Sequence, residues 1–293
     1  MMRLVLVRHG ETVGNSSIRY FGRTDVALSE IGRAQMRAAR GWLQRRFGSA
    51  EFTSVISSPL WRAIEGATII VAAEWSSPLW RAAEGAQIIA GVDRSIHKIK
   101  EFVEVDFGCF EGLTADEIRL RCPADFERWN RDRLDPGFAY PEGESRVEFT
   151  RRVERGIQRM LEVIDSAAAH ENIAADREGD AAVDVDSAAG REDNASGHED
   201  RAEAHDEGAT AHEDGGALPI GGAAGYEDVR AGHEGGVALV VAHRGVIRII
   251  AKRLAGIEPV IELGSIQILQ RDRIGDPWRA ESIDVVEHLA HLD

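Results

Sequence analysis

Residues 4–12 read LVLVRHGET, and this stretch decides the fold. It opens with a short apolar run that ends at Arg8, directly before His9. Continuous apolar runs of this length are typical of strands buried on both faces, whereas half-exposed strands alternate apolar and polar residues. The run is too short for a membrane span or a signal peptide. We therefore expect a buried strand that carries Arg8 and His9 to one edge of a sheet.

Strand patterns and helical patterns alternate along the rest of the chain. The strand patterns lie at 52–58, 237–243 and 265–272, and the helical patterns at 29–47, from Leu60 onward, at 147–164 and at 246–256. Alternation of this kind favours a mostly parallel sheet with helices on both faces. We predict a three-layer α/β/α domain with a mostly parallel central sheet. Ser29 is the predicted N-cap of its helix, because its hydroxyl can accept from an unpaired backbone N–H.

The negative charge of the chain lies in one segment. Residues 165–236 hold 19 acidic residues and four arginines, and 4 − 19 = −15 equals the net charge of all 293 residues. A segment rich in Ala, Gly, Glu and Asp cannot bury enough apolar surface to offset its chain entropy. We predict that a disordered acidic insert at about 167–236 interrupts a single domain spanning 1–293. The remainder is neutral overall and lacks the clustered Lys and Arg of a nucleic-acid-binding surface.

The chain also contains a short internal repeat. SSPLWRAIEGATII at 57–70 recurs as SSPLWRAAEGAQII at 76–89, with 12 of 14 positions identical. Two copies are too few for a solenoid, so we interpret the repeat as a local tandem duplication. Each copy carries one arginine at the same position of the repeat, Arg62 in the first copy and Arg81 in the second, so either could contribute to a binding site.

Charged side chains follow three of the predicted strands where each strand ends. Arg8 and His9 follow the first, Arg62 the second and His243 the third. Ligands of open parallel sheets bind beyond the carboxyl ends of the strands, where helix N-termini also present N–H groups to anions. We therefore expect one pocket with two histidines and two arginines, suited to a phosphoryl group.

The ordered set of motifs resembles the histidine phosphatase superfamily, which includes the cofactor-dependent phosphoglycerate mutases. The resemblance covers nearly the whole chain outside the acidic insert. It rests on Asn15 and on LVRHGET (6–12), FGRTDVALSEIGRAQ (21–35), SSPLWRA (57–63), EVDFGCFEGLT (104–114), PEGES (141–145) and VVAHRGVIR (240–248).

The resemblance implies a role for each candidate site residue. His9 would attack phosphorus and become a phosphohistidine, Glu104 would be the general acid and base, and His243 would complete the catalytic set. The implied phosphate contacts are Arg8, Asn15 and Arg62, with Arg81 as the alternative to Arg62. Arg23, Glu142 and Arg244 are expected at the substrate rim. The arginines would supply the positive charge, so we expect neither a metal nor another cofactor.

Two departures from the family pattern leave details open. The gap to Glu104 is 42 residues from Arg62 and 23 from Arg81, and the shorter gap is the more family-like. Only the first copy directly follows a convincing strand, which favours Arg62. Arg244 stands directly after His243, where the family usually has Gly, and could either contact phosphate or point into solvent.

We expect hydrolysis of a phosphomonoester on a small metabolite. The stretch between Gly112 and Gly143 is short, as in the phosphatase branch with its α-ribazole and broad-specificity phosphatases, whereas mutases usually carry a longer insertion there. The alternatives are a phosphoglycerate mutase and a weakly active regulatory or binding protein on the same fold. We expect a cytoplasmic monomer or homodimer without a nucleic-acid or membrane partner. Cys109 and Cys122 are interpreted as core or incidental positions, because two cysteines make no disulfide framework.

Overall fold

The computed structural model describes residues 1–48, 52–71, 96–188 and 236–292. The chain divides into two units, one formed by Met1–His170 with His233–Asp293 and the other by Glu171–Gly232. Within the second unit the structure describes helical backbone as far as Ala188. Arg81 and the rest of the second repeat copy lie outside the described residues.

The described residues contain six strands, six α-helices and three short 3₁₀ helices. The strands are β1 (Met2–Arg8), β2 (Ser54–Ser57), β3 (Ile96–Lys98), β4 (Val237–Ala242), β5 (Ile266–Arg271) and β6 (Arg279–Val285). The α-helices are α1 (Glu30–Phe47), α2 (Trp61–Val71), α3 (Ala115–Arg121), α4 (Pro123–Asp132), α5 (Arg146–Ala188) and α6 (Arg244–Ala255). The 3₁₀ helices are Lys100–Phe102, Gly108–Phe110 and Glu287–Leu289.

The strands form one sheet in the order β3-β2-β4-β1-β5-β6. The first four strands are parallel to one another, and β5 and β6 continue the sheet in antiparallel fashion. The predicted fold class, a mostly parallel sheet flanked by helices, is confirmed. None of the helices that the structure describes has the length and apolar composition needed to span a lipid bilayer.

The alternation of side chains along β1 builds the three layers. Leu4 and Leu6 pack into a core with residues of α5 and α6, on one face of the sheet. Val5 and Val7 point the other way, into a core with residues of α1 and α2. All four side chains are fully buried, which explains why this strand has an unbroken apolar run. The predicted cap of α1 is confirmed, because the Ser29 hydroxyl accepts the backbone N–H of Gly32.

Helix α5 is longer than the sequence pattern predicted. The structure gives helical backbone to residues 167–188, which form the first part of the insert predicted at about 167–236. This stretch is rich in alanine, which has the highest helix propensity, and contains no proline. The alanine content therefore favours helical backbone at the start of the predicted insert. The remainder of the predicted insert, 189–235, lies outside the described residues.

Candidate active site

The two predicted catalytic histidines leave the sheet side by side. Arg8 at the end of β1 pairs with Ala242 at the end of β4, so the next residues, His9 and His243, emerge at the same edge. Their ring centroids are 5.1 Å apart at an interplanar angle of 64°. Both residues are buried, His9 at 5% and His243 at 0% exposure. The sheet therefore joins residues that are far apart in the chain.

The His9 ring is held in a form suited to nucleophilic attack. Its Nδ1 atom lies 2.7 Å from the Gly10 carbonyl oxygen, and a carbonyl can only accept, so Nδ1 carries the proton. The lone pair of Nε2 is then free. Burial, followed by the charges of Arg62 and Arg8, lowers the pKa of His9 well below its ordinary value. The imidazole is therefore neutral at neutral pH, as a nitrogen nucleophile must be.

The second histidine, His243, contacts a serine that the sequence analysis missed. Its Nε2 atom lies 2.8 Å from the hydroxyl oxygen of Ser58, and that oxygen also accepts the N–H of Leu60 at 3.3 Å. With the serine hydroxyl donating to Nε2, the proton of a neutral ring lies on Nδ1. Burial, and then the charge of Arg62, lowers the pKa of His243 well below its ordinary value.

Arg62 is fully buried at the start of α2. Its guanidinium donates to the backbone carbonyls of Thr24 at 2.8 Å, Gly22 at 2.7 Å and Phe21 at 3.2 Å. Burial lowers its pKa, and the charge of Glu104 is the largest opposing influence. The loop at 21–24 therefore fixes this arginine within the site.

Glu111 in turn holds the loop that fixes Arg62. Its carboxylate accepts the backbone N–H groups of Gly22 and Arg23 at 3.0 Å and the Thr24 hydroxyl at 2.6 Å. A carboxylate with several donors on one loop acts as a clamp. The sequence analysis named Glu111 only as part of a matching motif, and its spacing to residues 22–24 contains no signal of this contact.

Three buried nitrogen donors of the site have no hydrogen-bond partner within the described part of the chain. They are Arg8 Nε, Arg62 Nε and His243 Nδ1. Buried donors are normally satisfied, and unsatisfied ones at a site indicate a missing acceptor. The guanidinium of Arg8 is anchored through Nη1 to the Ile261 carbonyl at 3.0 Å. Burial lowers the pKa of Arg8 to about 10, which leaves it protonated at neutral pH.

Glu104 completes the buried set of predicted catalytic residues. It is 7% exposed. Its two carboxylate oxygens accept the backbone N–H groups of Val105 and Gly245, each at 3.0 Å. Gly245 lies in the first turn of α6, directly after His243 and Arg244. The carboxylate therefore has a fixed position at the strand edge where the two histidines emerge.

Two neighbouring cavities meet at Glu104. The larger, which we call the histidine cavity, has a volume of about 940 Å³ and is lined by Arg8, His9, Glu104 and Arg244 among others. The smaller has a volume of about 560 Å³, and we call it the aromatic cavity because its walls include Tyr20, Phe107, Trp129, Tyr140 and Phe149. Glu104 and Arg244 line both cavities. A phosphate ester could thus place its phosphoryl group at His9 and its remainder in the aromatic cavity.

Five of the predicted site residues that the structure describes line neither cavity: Arg62 and His243, which are fully buried, and Asn15, Arg23 and Glu142. Asn15 has a positive φ of 67°, and its side-chain oxygen accepts the Ser17 hydroxyl. Arg23 forms an ion pair with Asp106 at 3.2 Å, in a separate cleft. Glu142 is exposed in a turn and also has a positive φ, 57°. Of the predicted rim residues, the structure places only Arg244 at the cavities.

A family model supports the sequence resemblance. The model of the histidine phosphatase superfamily (branch 1) matches residues 4–74 and 69–170, which is more than half of the chain. The chain therefore belongs to the histidine phosphatase superfamily. The two matched ranges contain one copy of the repeat each, so both Arg62 and Arg81 lie within matched sequence.

Curated relatives match only part of their own length. The chain is 38% identical over 159 residues to bifunctional protein Rv2228c of Mycobacterium tuberculosis, covering 54% of this chain and 37% of the relative. It is 31% identical over 131 residues to phosphoserine phosphatase 1 of Hydrogenobacter thermophilus, covering 44% of this chain and 51% of the relative. The chain therefore spans about half or less of the length of these two relatives.

Solved structures share the fold over almost the whole chain. The α-ribazole phosphatase from Shigella flexneri has a TM-score of 0.57 at 18% identity and covers 97% of this chain and 96% of its own. The mycobacterial glucosyl-3-phosphoglycerate phosphatase Rv2419c has a TM-score of 0.53 at 21% identity, with coverage of 97% and 99%. At these identities the likeness concerns the fold alone.

Proposed function

We propose that this protein hydrolyses phosphomonoesters of small metabolites through a phosphohistidine at His9. One observation carries the proposal: three buried donors, Arg8 Nε, Arg62 Nε and His243 Nδ1, have no partner among the described residues and accompany a neutral imidazole whose Nε2 is free. A phosphoryl group offers three oxygens to such donors and an electrophilic phosphorus to the imidazole.

The proposed reaction has two steps that share one pocket. His9 Nε2 attacks phosphorus in line, the bond from phosphorus to the ester oxygen breaks, and Glu104 transfers a proton to the departing oxygen. A water molecule then attacks the phosphohistidine while Glu104 takes its proton, and the bond to nitrogen breaks to release phosphate. The two arginines and His243 stabilise the charge on the equatorial oxygens in both steps.

We also propose that the reaction needs no metal ion. In metal-dependent phosphoryl transfer the cation neutralises the charge that develops on the phosphoryl oxygens. Arg8 and Arg62 provide two fixed positive charges, and after burial these charges are the main influences that lower the pKa of His9. The same neutralisation is thus available from the protein itself.

The aromatic cavity favours substrates with a planar, unsaturated body. Its rings pack edge to face, with centroid separations such as 5.3 Å for Tyr20 and Phe107 and 5.0 Å for Phe107 and Tyr140. Aromatic walls bind flat rings by stacking and edge contacts. α-Ribazole 5′-phosphate is one candidate of this kind, since a protein with the same fold is an α-ribazole phosphatase. Broad specificity within this substrate class is equally compatible with the cavity.

The deciding experiment measures phosphate release from a panel of esters with and without chelator. The panel holds an aryl phosphate, α-ribazole 5′-phosphate, phosphoserine and 3-phosphoglycerate. We expect chelator-resistant release, an acid-labile phosphoenzyme, and loss of both in His9→Ala. His97→Ala, at an exposed histidine of β3, is the matched control and should behave like the wild type.

Two results would contradict the proposal. Isomerisation of 3-phosphoglycerate without net phosphate release would identify a mutase instead. A folded protein without turnover of any ester, aryl phosphate included, would favour the regulatory or binding alternative. A requirement for added divalent metal would overturn only the metal-independent part.

A further inference from the structure

The two cysteines of the chain, interpreted from the sequence as core or incidental positions, lie close together in the structure. Cys109 lies in the 3₁₀ helix Gly108–Phe110, and Cys122 lies between α3 and α4. Their sulfur atoms lie within 4.8 Å of each other. The Asp125 carboxylate joins them, and one ligand atom from each of the three residues lies within 4.8 Å of the others. Two thiols and a carboxylate thus form one compact group.

The local backbone explains how the three side chains face one another. Cys122 directly precedes Pro123, the first residue of α4, and Asp125 lies in the first turn of that helix. This C-x-x-D spacing puts both side chains on the same side of the helix start, as the short spacing of paired zinc ligands does. Cys109 is held opposite by its backbone N–H, which donates to the Pro141 carbonyl at 3.0 Å.

We propose that Cys109, Cys122 and Asp125 bind a thiophilic divalent cation of the zinc class. Zinc prefers four tetrahedral ligands drawn from thiolate, imidazole and carboxylate. Bond lengths of about 2.3 Å to sulfur and 2.0 Å to oxygen place such ligand atoms about 3.5–3.8 Å apart. The three atoms therefore need to close by little more than about 1 Å to bind the cation. All three residues are half-buried, which leaves the fourth position to water.

The proposed site is linked to the aromatic cavity through Phe110. Phe110, next to Cys109, packs with its ring centroid 6.4 Å from that of Trp129 in α4 and 6.1 Å from that of Tyr140. Trp129 and Tyr140 both line the cavity. A cation bound to the start of α4 and to the Cys109 segment would join two parts of this wall. Its expected effect is on stability and on KM, because none of its ligands touches His9 or its arginines.

The test uses the full-length, reduced protein titrated with Co²⁺ and Cd²⁺ and followed by ultraviolet and visible absorption. Thiolate-to-metal charge transfer reports sulfur ligation, and the chain has only two cysteines, so such a band can arise nowhere else. Histidines of the acidic segment could bind metal weakly, but they give no thiolate band. We expect a saturable band at one equivalent, displaced by Zn²⁺, and a raised Tm in the presence of Zn²⁺.

Matched variants distinguish coordination of the metal by these three side chains from metal binding elsewhere on the protein. Cys109→Ser and Cys122→Ser should each weaken or remove the band, and retained hydrolysis of an aryl phosphate shows that the variant has folded. Asp125→Asn should lower the affinity by at least about tenfold, since even partners outside the ligand shell cost about 10–100-fold. Asp132→Asn, in the last turn of α4, is the control and should leave the affinity unchanged.

The wild-type protein alone decides the outcome if a variant fails to fold. Absence of any thiolate band on the reduced wild type would overturn the proposal. So would conversion of both thiols to a disulfide in air with no metal band under reducing conditions, because the pair would then be a redox couple. A band that survives in Asp125→Asn with unchanged affinity would remove Asp125 from the ligand set and overturn the site as proposed.

Discussion

Ser58 directly follows β2, and its hydroxyl oxygen lies 2.8 Å from Nε2 of His243, which directly follows β4. The two strands are paired in parallel, with Ser57 opposite Val241, so the contact spans the carboxyl edge of the sheet. Both side chains are fully buried. Because the hydroxyl can donate to Nε2, it fixes the proton of His243 on Nδ1, the atom proposed to face the phosphoryl group.

Replacing Ser58 with alanine should therefore lower kcat while leaving KM nearly unchanged. In the variant the His243 ring can adopt the other tautomer. Its Nδ1 atom then accepts a hydrogen bond and can no longer donate one to the phosphoryl group. We expect a loss of roughly 10–100-fold, somewhat less than removal of a direct transition-state donor. Initial rates with an aryl phosphate across a range of pH values measure the effect.

The neighbouring serine provides the control for this variant. Ser57 is also fully buried, and its hydroxyl donates to the Ser58 carbonyl at 2.8 Å. Ser57→Ala should lower the Tm without a selective loss of kcat, and Ser58→Thr should restore activity by keeping a hydroxyl. Equal kcat losses in Ser57→Ala and Ser58→Ala would show that Ser58 acts only through stability.

Glu104→Gln should separate substrates by their leaving groups. The amide can still occupy the position beside Gly245 but cannot transfer a proton. Alkyl phosphates, whose leaving oxygen needs protonation, should lose about 10²–10⁴-fold in kcat, whereas aryl phosphates should lose far less. Comparing kcat for a serine phosphate and a nitrophenyl phosphate measures this difference. Equal losses for both would contradict a role in proton transfer to the leaving group.

The parallel order of the strands explains how much of the site was predictable. Motifs at the ends of two neighbouring parallel strands lie at the same edge of the sheet. The strand patterns therefore predicted that His9, Arg62 and His243 lie close together. The fold class followed from the same alternation. Strand β6, by contrast, has mostly half-exposed or exposed residues, and its sequence has no apolar period to reveal it.

Contacts made by irregular segments were not predictable in the same way. Cys109 and Cys122 meet because the path between them turns through a 3₁₀ helix and α3, and no sequence period specifies that path. The motif around Asn15 and Arg23 matched the family order, but the structure pairs the Asn15 side chain with Ser17 and the Arg23 side chain with Asp106. Matching a motif fixes a residue type at a position, but the loop conformation decides where its side chain points.

The buried histidines predict how stability depends on pH. The pKa values of His9 and His243 are lowered in the folded state, whereas the unfolded chain has the ordinary value of about 6.5. Below that pH the unfolded chain binds protons that the folded chain does not, so stability falls as the pH falls. Each histidine contributes up to about 1.4 kcal/mol per pH unit, until the pH reaches its lowered folded-state pKa.

Urea unfolding at several pH values between about 5 and 7 tests this dependence. His243→Gln should reduce the slope by one histidine's contribution. His97→Gln, at an exposed position of β3, controls for the loss of an imidazole. A slope that is the same in wild type and His243→Gln would mean that His243 does not stay neutral in the folded protein.

The last prediction decides which copy of the repeat supplies the second arginine. Arg62→Ala leaves three carbonyls of the 21–24 loop without their donor and removes a proposed phosphate contact. We expect a loss of stability of about 2–4 kcal/mol and at least about 10²-fold lower kcat. Arg81→Ala should leave the stability and kcat close to those of the wild type. Thermal unfolding and aryl phosphatase assays on the two variants measure these effects.

The pair is informative because the two arginines have the same local sequence, SSPLWRA, at 57–63 and 76–82. The two substitutions therefore change local helix propensity and charge by nearly the same amount. A difference between the variants then reports which copy of the repeat forms β2 and the start of α2. The reverse result, with activity lost only in Arg81→Ala, would place the second copy there. In that case the phosphate-binding arginine would precede Glu104 by 23 residues, the more family-like gap in sequence. Arg62→Lys tests the geometry further, since an ammonium keeps the charge but cannot reach three carbonyls and a phosphoryl oxygen at once.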